Sequence, residues 1–167
     1  MIDWSFAEGF HLASKVWIYQ SNRALTTTES EEMEKAMKIF AEEWTAHKQE
    51  LKAIGKVLHN RFLILMVDES FNLTSGCSID ASVKFIRKVE INYQLSLMDR
   101  SILLFEEGEN LKEVLLSELN QKISDGEILP STFYYNNTVT TLNEMKTNWK
   151  VPVKDSWLAY RLKSIYF

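Results

Sequence analysis

Cysteine, histidine and acidic side chains are the residues of this chain whose chemistry could support catalysis. The only cysteine, Cys77, lies in the segment SGCSID (residues 75–80), which follows the apolar run at 62–67 and leads into a helical pattern at 81–93. Unpaired backbone N–H groups gather where a strand passes into a helix, and they favour an anion or a thiolate. The sequence therefore places a candidate site at this junction.

A thiol mechanism would need a base and an acid close to Cys77. His47 follows Trp44 by three residues, so we expect it to continue the buried stripe of the first helix to the helix end. Asp68 comes directly after the apolar run, and either it or Glu69 could orient the imidazole. The candidate roles are thus nucleophile or redox group for Cys77, base for His47 and orienting acid for Asp68. The alternative is that Cys77 only packs, as free cysteines usually do.

The same junction could instead bind a ligand without catalysis. Ser75, Gly76 and Ser78 would allow close backbone approach and supply hydroxyl groups, and Glu69 is expected on the same rim. The competing interpretation is ordinary capping of the helix by Ser75 or Ser78. Asp80, in the first turn, would repel an anion.

Several familiar site patterns are missing from the sequence. No pair of histidines or cysteines has the spacing of His-Glu-x-x-His or Cys-x-x-Cys, so we expect no metal. The chain also has no Walker A loop, no Gly-x-Gly-x-x-Gly fingerprint and no Gly-x-Ser-x-Gly elbow. We therefore expect no nucleotide and no other cofactor.

Composition and charge narrow the class of protein. The 167 residues suit one globular domain with a proper core, and the formal charge of −4 argues against a nucleic-acid partner. No apolar run approaches the length of a membrane span, and residues 1–14 lack the basic-then-apolar pattern of a signal peptide. One cysteine cannot form an internal disulfide, which favours a reducing compartment. We expect a cytoplasmic protein without a membrane partner.

Hydrophobic periodicity predicts the elements that would position the candidate site. Strands are expected near 16–20, 52–58, 61–67 and 101–105, with a turn at His59-Asn60. A helix is expected from about 28 to 47 and a second helix through 81–93. Thr26, Thr27 and Thr28 are candidate N-caps of the first helix, and Thr28 with Glu31 has the spacing of a capping box. The order strand, helix, strand, strand, helix, strand is that of an α+β, ferredoxin-like split βαβ core.

The remainder reads as an extension of that core. The predicted core covers about 15–106 and the extension about 107–167 of a single α+β domain (1–167). Within the extension we expect a helix through 111–123 that stops at Gly126, a short strand at 132–135 and a helix near 142–149. In the ferredoxin-like arrangement the end of the first helix and the start of the second share one edge of the sheet. Asp68, Glu69, His47 and the 75–80 junction would then meet on one rim.

Five segments carry a resemblance to a known family, and together they span nearly the whole chain. They are VWIYQSNR (16–23), WTAH (44–47), RF through VDES (61–70), SGCSID (75–80) and WKVP through DSW (149–157). These segments resemble an uncharacterised bacterial family found in Bacteroidetes, whose members are often labelled "ABC transporter ATPase". The resemblance implies a bacterial cytoplasmic protein. ATPase activity is not carried over, because the chain lacks the Walker A loop that it requires.

Two functions of different classes follow from these observations. The first is a non-catalytic domain that binds a small ligand or another protein through the 75–80 rim. The second is a thiol-dependent enzyme with Cys77 as nucleophile and His47 as base. The scarcity of catalytic motifs favours the first. A homodimer is left open, since ferredoxin-like sheets often dimerise.

Overall fold

The structure, a computed structural model, describes residues 1–166 and is an α+β fold with several antiparallel sheets and, within those residues, five α-helices. The chain divides into two compact units. The first comprises residues 1–98 with 140–143, and the second comprises 99–139 with 144–166. Whether they make up the single domain expected from the sequence stays a prediction.

The first unit contains the first five predicted elements in order (strand, helix, strand, strand, helix), with two further short strands between the first helix and the second predicted strand. After a short 3₁₀ helix (Ser5–Ala7), its elements are β1 (Lys15–Gln20), α1 (Thr27–Glu43), β2 (Thr45–Ala46), β3 (Gln49–Glu50), β4 (Lys52–Leu58), β5 (Phe62–Asp68) and α2 (Gly76–Tyr93). Strands β1, β5 and β4 form an antiparallel sheet in that order. Every residue of β5 is buried, as its apolar sequence predicts for a central strand. The β4–β5 turn lies at His59-Asn60, where the sequence predicts it.

The sheet topology does not confirm the ferredoxin-like core. In that arrangement the fourth strand would join the sheet of β1, β5 and β4. The predicted fourth strand is present as β6 (Ile102–Glu107), but it pairs with other strands in the second unit. Local apolar pattern predicts that such a strand exists, whereas its partner depends on long-range contacts.

Helices α1 and α2 cover one face of this sheet and run antiparallel to each other. At one end the Trp44 indole Nε1 donates to the Ser78 carbonyl (2.8 Å), and at the other the Tyr93 hydroxyl donates to Glu32 (3.0 Å). The two helices share a core with alternate residues of β5. Its helix and β5 members include Met33, Met37, Leu63, Leu65, Val67, Ile86 and Val89. The amphipathic periodicity of both helices is therefore satisfied by the same sheet.

Helix α1 lies unusually close to β4 because residue 55 is glycine. A Cβ atom at Gly55 would lie 2.5 Å from the Cβ of Met37, a separation that real Cβ atoms essentially never show. The missing side chain thus lets the helix backbone approach the strand. In addition, the Glu34 carboxylate accepts the Val57 N–H (3.0 Å) and pairs with Lys56 (2.7 Å).

The start and end of α1 differ from the sequence prediction. The capping box is formed by Thr26 and Glu29, not by Thr28 and Glu31. Glu29 fits the earlier position because the Arg23 guanidinium binds both of its carboxylate oxygens, at 2.8 and 2.9 Å. These hydrogen bonds, with that from the Thr26 N–H, lower the pKa of Glu29 to about 2. The helix ends at Glu43, four residues before the predicted end.

The second unit contains a sheet of its own, which the sequence predicts only in part. Its elements are β6, β7 (Asn110–Leu115), α3 (Leu119–Ser124), β8 (Phe133–Tyr135), most of α4 (Leu142–Asn148), β9 (Lys150–Pro152), a 3₁₀ helix (Val153–Asp155) and α5 (Ala159–Tyr166). The strands pair in the order β7-β6-β8-β9. The helix predicted through 111–123 is wrong in its first half, which is β7. A two-residue turn joins β6 to β7, and its first residue, Gly108, has a φ of +64°. Glycine is the preferred residue at this position because it adopts positive φ without strain.

Within residues 1–166, no helix combines the length and the apolar content needed to cross a membrane.

Candidate functional site

Cys77 is the second residue of α2, and its thiol is free and exposed to solvent. This is where the sequence places it, at the passage from strand to helix. Gly76, which precedes it, has no atom within 4 Å of the position that a Cβ would take. Nothing in the surrounding packing therefore requires glycine at this position.

Ser75 and Ser78 cap α2 and bind each other. The Ser75 hydroxyl accepts the Ser78 N–H (3.2 Å), and the Ser78 hydroxyl accepts the Ser75 N–H (2.7 Å). The Ser78 hydroxyl also donates to the Ser75 carbonyl (2.8 Å). These reciprocal bonds form a capping box in which Ser78 takes the place of the usual glutamate or glutamine. Both hydroxyl groups predicted to contact a ligand are thus engaged by the helix start.

His47 lies outside the helix that the sequence assigns it to. With α1 ending at Glu43, His47 and Lys48 form the two-residue turn between β2 and β3. Both turn residues have positive φ, of 52° and 66°, as a type I′ turn requires. His47 is exposed and does not continue the buried stripe. The helical spacing from Trp44 predicts burial wrongly, because the chain leaves the helix at that tryptophan.

Asp68 is buried, and its carboxylate is bound by two backbone N–H groups and a lysine ammonium. Its carboxylate accepts the backbone N–H of Ser70 (3.0 Å) and that of His11 (3.1 Å), and it pairs with the Lys52 ammonium (3.0 Å). Burial alone would raise the pKa of Asp68, but the hydrogen bonds from Ser70, His11 and Lys52 outweigh it and hold the pKa well below its usual range. Asp68 is therefore an ionised anchor for three parts of the chain.

Glu69 is likewise occupied by neighbours in the loop between β5 and α2. One oxygen accepts the N–H (2.8 Å) and the hydroxyl of Thr74, and the other pairs with Lys15 (3.1 Å). Burial opposes ionisation, yet the bonds from Thr74 and Lys15 lower the pKa of Glu69 overall. The predicted ligand-binding role of this carboxylate would require these bonds to be replaced.

The structure brings some of the predicted residues together and not others. The Trp44–Ser78 hydrogen bond joins the end of α1 to the start of α2, as the rim prediction expects. In the part of the chain that the structure describes, no hydrogen bond links Cys77 to His47 or His47 to Asp68. Over the same residues, no three His, Cys, Asp or Glu side chains are grouped so that they could hold a metal ion. The catalytic roles of Cys77, His47 and Asp68 stay predictions.

The loop between β5 and α2 exposes apolar side chains, which the sequence analysis did not predict. Two of its polar side chains bond back to the protein: the Thr74 hydroxyl donates to Glu69, and the Asn72 amide donates to the Glu50 carbonyl (2.9 Å). Ser70, whose backbone N–H donates to Asp68, is itself exposed. The apolar residues between them, Phe71 and Leu73, are 73% and 68% exposed. The available signal was the alternation of polar and apolar residues through 70–74, which indicates two faces even in a loop.

Lys52 connects this loop to the N-terminal segment. Its ammonium lies 4.9 Å from the ring centre of Phe10 and 5.6 Å from that of Phe71, within the range of cation–π attraction. It also donates to the Gly9 carbonyl and pairs with Asp68. Lys52 therefore contacts one face of the Phe71 ring, and most of the side chain stays exposed.

A groove beside α1 is a separate candidate for a small ligand. It has a volume of about 350 Å³ and is lined by Ser30, Glu31, Glu34, Lys35, Lys38, Val57 and Asn60. Several of its polar groups are already paired, since Ser30 donates to Asn60 (3.0 Å) and Glu34 binds Lys56 and the Val57 N–H. A ligand would have to compete with these bonds.

Comparison with known proteins adds no relative from which a role could be inferred: no protein-family model, no curated protein and no solved structure matches this chain.

Proposed function

We propose that the chain is a non-catalytic interaction domain that binds another protein through the loop between β5 and α2. The observation that carries this proposal is the arrangement of residues 71–74, in which the Asn72 and Thr74 side chains bond back to the protein while Phe71 and Leu73 are exposed. A loop usually exposes its polar residues to water. Here a partner would remove two large apolar side chains from water.

The energetics of such a contact are favourable. Burying a phenylalanine or leucine side chain is worth about 1.5–3 kcal/mol. Because Asp68, Glu69 and Asn72 tether the loop, little additional ordering is needed on binding. Aromatic residues held in this way are typical anchors of protein interfaces.

The thiol-enzyme alternative has less support. It rests on an exposed Cys77 at the start of α2, but Asp68 is bound to Lys52 and His47 lies in a hairpin turn. A nucleophile and its base normally lie within hydrogen-bond reach of each other. Binding of a small ligand by Ser75 and Ser78 would require the opening of the α2 cap.

The location of the protein, the absence of a nucleic-acid partner and the ferredoxin-like class also remain proposals. A bacterial cytoplasmic location rests on the family resemblance and on the single cysteine. The absence of a nucleic-acid partner rests on the net negative charge. The ferredoxin-like class rests on the β1-β5-β4 order with two helices on one face.

Site-specific photocrosslinking in the native host tests the proposed contact. With p-benzoylphenylalanine in place of Phe71, we expect a discrete crosslinked product with a different protein, and that product should be lost when Leu73→Ser is added. The control places the same crosslinker at Leu129, which is 47% exposed and belongs to the second unit. The same product at both positions, or none at position 71, would contradict the proposal.

A further inference from the structure

The outer faces of α1 and α2 carry opposite charges. On α2 the exposed charged residues are Asp80, Lys84, Arg87 and Lys88, for a net charge of +2. On α1 they are Glu31, Glu32, Lys35, Lys38, Glu42 and Glu43, for a net charge of −2. None of the three α2 cations forms an ion pair among the residues that the structure describes. A positive surface thus lies beside a negative one in a chain whose overall charge is −4.

Each of these faces also exposes a large apolar side chain. Ile39 on α1 is 56% exposed and Ile91 on α2 is 76% exposed. Their positions on the outer faces do not serve the core, which is formed by the opposite side of each helix. A contact through this layer would remove both isoleucines from water, and the charged residues around them would form its polar rim.

We propose that this two-helix layer binds a second copy of the same chain, with α1 of each copy facing α2 of the other. A two-fold axis that runs parallel to the helices places the acidic α1 over the basic α2 twice. An axis perpendicular to them would place like charges together, which electrostatic complementarity disfavours. Charge complementarity therefore favours a second copy of the chain as the partner and a two-fold axis parallel to the helices. This surface is distinct from the Phe71 loop, so the inference goes beyond the proposed function.

The size of the layer sets the expected strength of the dimer. Helices of 17 and 18 residues are about 26 Å long, and two of them side by side offer about 500 Å² per copy. A total of about 1,000 Å² is at the lower limit for a specific interface. The dimer should therefore be weak, with a Kd in the micromolar range or above, and sensitive to salt.

Charge reversal with rescue tests the arrangement by analytical ultracentrifugation of the full chain. One variant carries Lys84→Glu and Lys88→Glu, and another carries Glu31→Lys and Glu42→Lys. Each alone should weaken self-association by ~10-fold or more, because like charges then face each other. A mixture of the two variants should restore association, since each reversed face meets its complement. The control, Lys154→Glu with Lys163→Glu in the second unit, makes the same change in net charge as the Lys84 and Lys88 reversal and should associate like the unmodified chain.

The salt dependence completes the test. Raising ionic strength from about 0.1 to about 1 M shortens the Debye length from ~10 to ~3 Å and should weaken the dimer of the unmodified chain. The inference is overturned if that chain is monomeric at both salt concentrations, if the reversals have no effect, or if the mixed variants fail to associate. Circular dichroism confirms that each variant is folded. Since the Phe71 crosslinking test uses a different surface, the two proposals fail independently.

Discussion

Helices α1 and α2 cover the same face of one sheet, begin with capping boxes and differ in length by one residue. Their inner surfaces join a single core, yet their outer surfaces have opposite net charge. Packing against the sheet fixes which inner residues are apolar and leaves the outer residues free to vary. The likeness of the inner surfaces therefore follows from folding, whereas the difference between the outer surfaces is what the proposed self-association would use.

Truncation of one inner residue in each helix should give the largest effect. Met37 and Ile86 are both fully buried, and replacing either with alanine leaves a cavity. We expect Met37→Ala and Ile86→Ala each to lower the free energy of unfolding by about 2–5 kcal/mol, measured by urea denaturation. The matched controls are the exposed Ile39→Ala and Ile91→Ala, which should change it by less than about 0.5 kcal/mol. A large loss from either control would show that the outer faces also support the fold.

Neutralising the acid that precedes or begins each helix should lower the free energy of unfolding by different amounts at Asp68 and at Glu29. Asp68, before α2, is buried and paired with Lys52, whereas Glu29, at the start of α1, is bound by the more exposed Arg23. Asp68→Asn should cost about 2–4 kcal/mol at neutral pH, because an amide cannot accept all the bonds that the carboxylate accepts. Glu29→Gln should cost less.

The stabilisation from Asp68 should depend on pH, and the direction of its pKa shift predicts how. Since folding lowers the pKa of Asp68, its stabilisation is fully present above the unfolded value of about 3.9 and declines as the pH falls below that value. Denaturation curves between about pH 2 and 7 should therefore converge for Asp68→Asn and the unmodified chain at low pH. Parallel curves would show that the carboxyl is not responsible. Asp155→Asn, which removes an exposed acid in the second unit, is the control.

The capping boxes should give the smallest difference. Thr26→Ala and Ser75→Ala each remove the hydroxyl that accepts the first-turn N–H, of Glu29 and Ser78 respectively. We expect a loss of about 1 kcal/mol in each case, read from the midpoint of thermal or urea unfolding. A much larger loss for Ser75→Ala would indicate that the Ser75–Ser78 pair does more than begin a helix. Thr27→Ala, next to the first cap, is a suitable control for α1.

Local patterns predict much of the first unit. The strand at 52–58 is observed within the predicted bounds, and the buried run at 61–67 becomes β5 at Phe62–Asp68. Both are signalled by residues adjacent in sequence, where apolar and β-branched side chains report burial directly. The glycine stop at Gly126 is also confirmed, with φ of +73° just after α3. Patterns of this kind need no knowledge of distant residues.

The wrong predictions depended on contacts that no local pattern contains. The bidentate bond from Arg23 selects Glu29 over Glu31 for the cap of α1. The hairpin at His47-Lys48 forms in place of a last helical turn, although this pair is not the Asn-Gly or Asp-Gly dipeptide that usually signals such a turn. The position of β6 in a second sheet likewise depends on pairing with β7 and β8. For the candidate site, the place of Cys77 was predictable, whereas the bonds that occupy Asp68 and Glu69 were not.

The close approach at Gly55 also constrains how this sequence can diverge. Any side chain at position 55 must displace α1 from β4, because its Cβ would lie 2.5 Å from the Cβ of Met37 and 3.0 Å from the carbonyl carbon and oxygen of the same residue. In related chains position 55 should therefore remain glycine whichever residue stands at 37, since every residue except glycine carries that Cβ. A chain that keeps this glycine while the rest of its sequence changes would keep the same close approach of helix to strand.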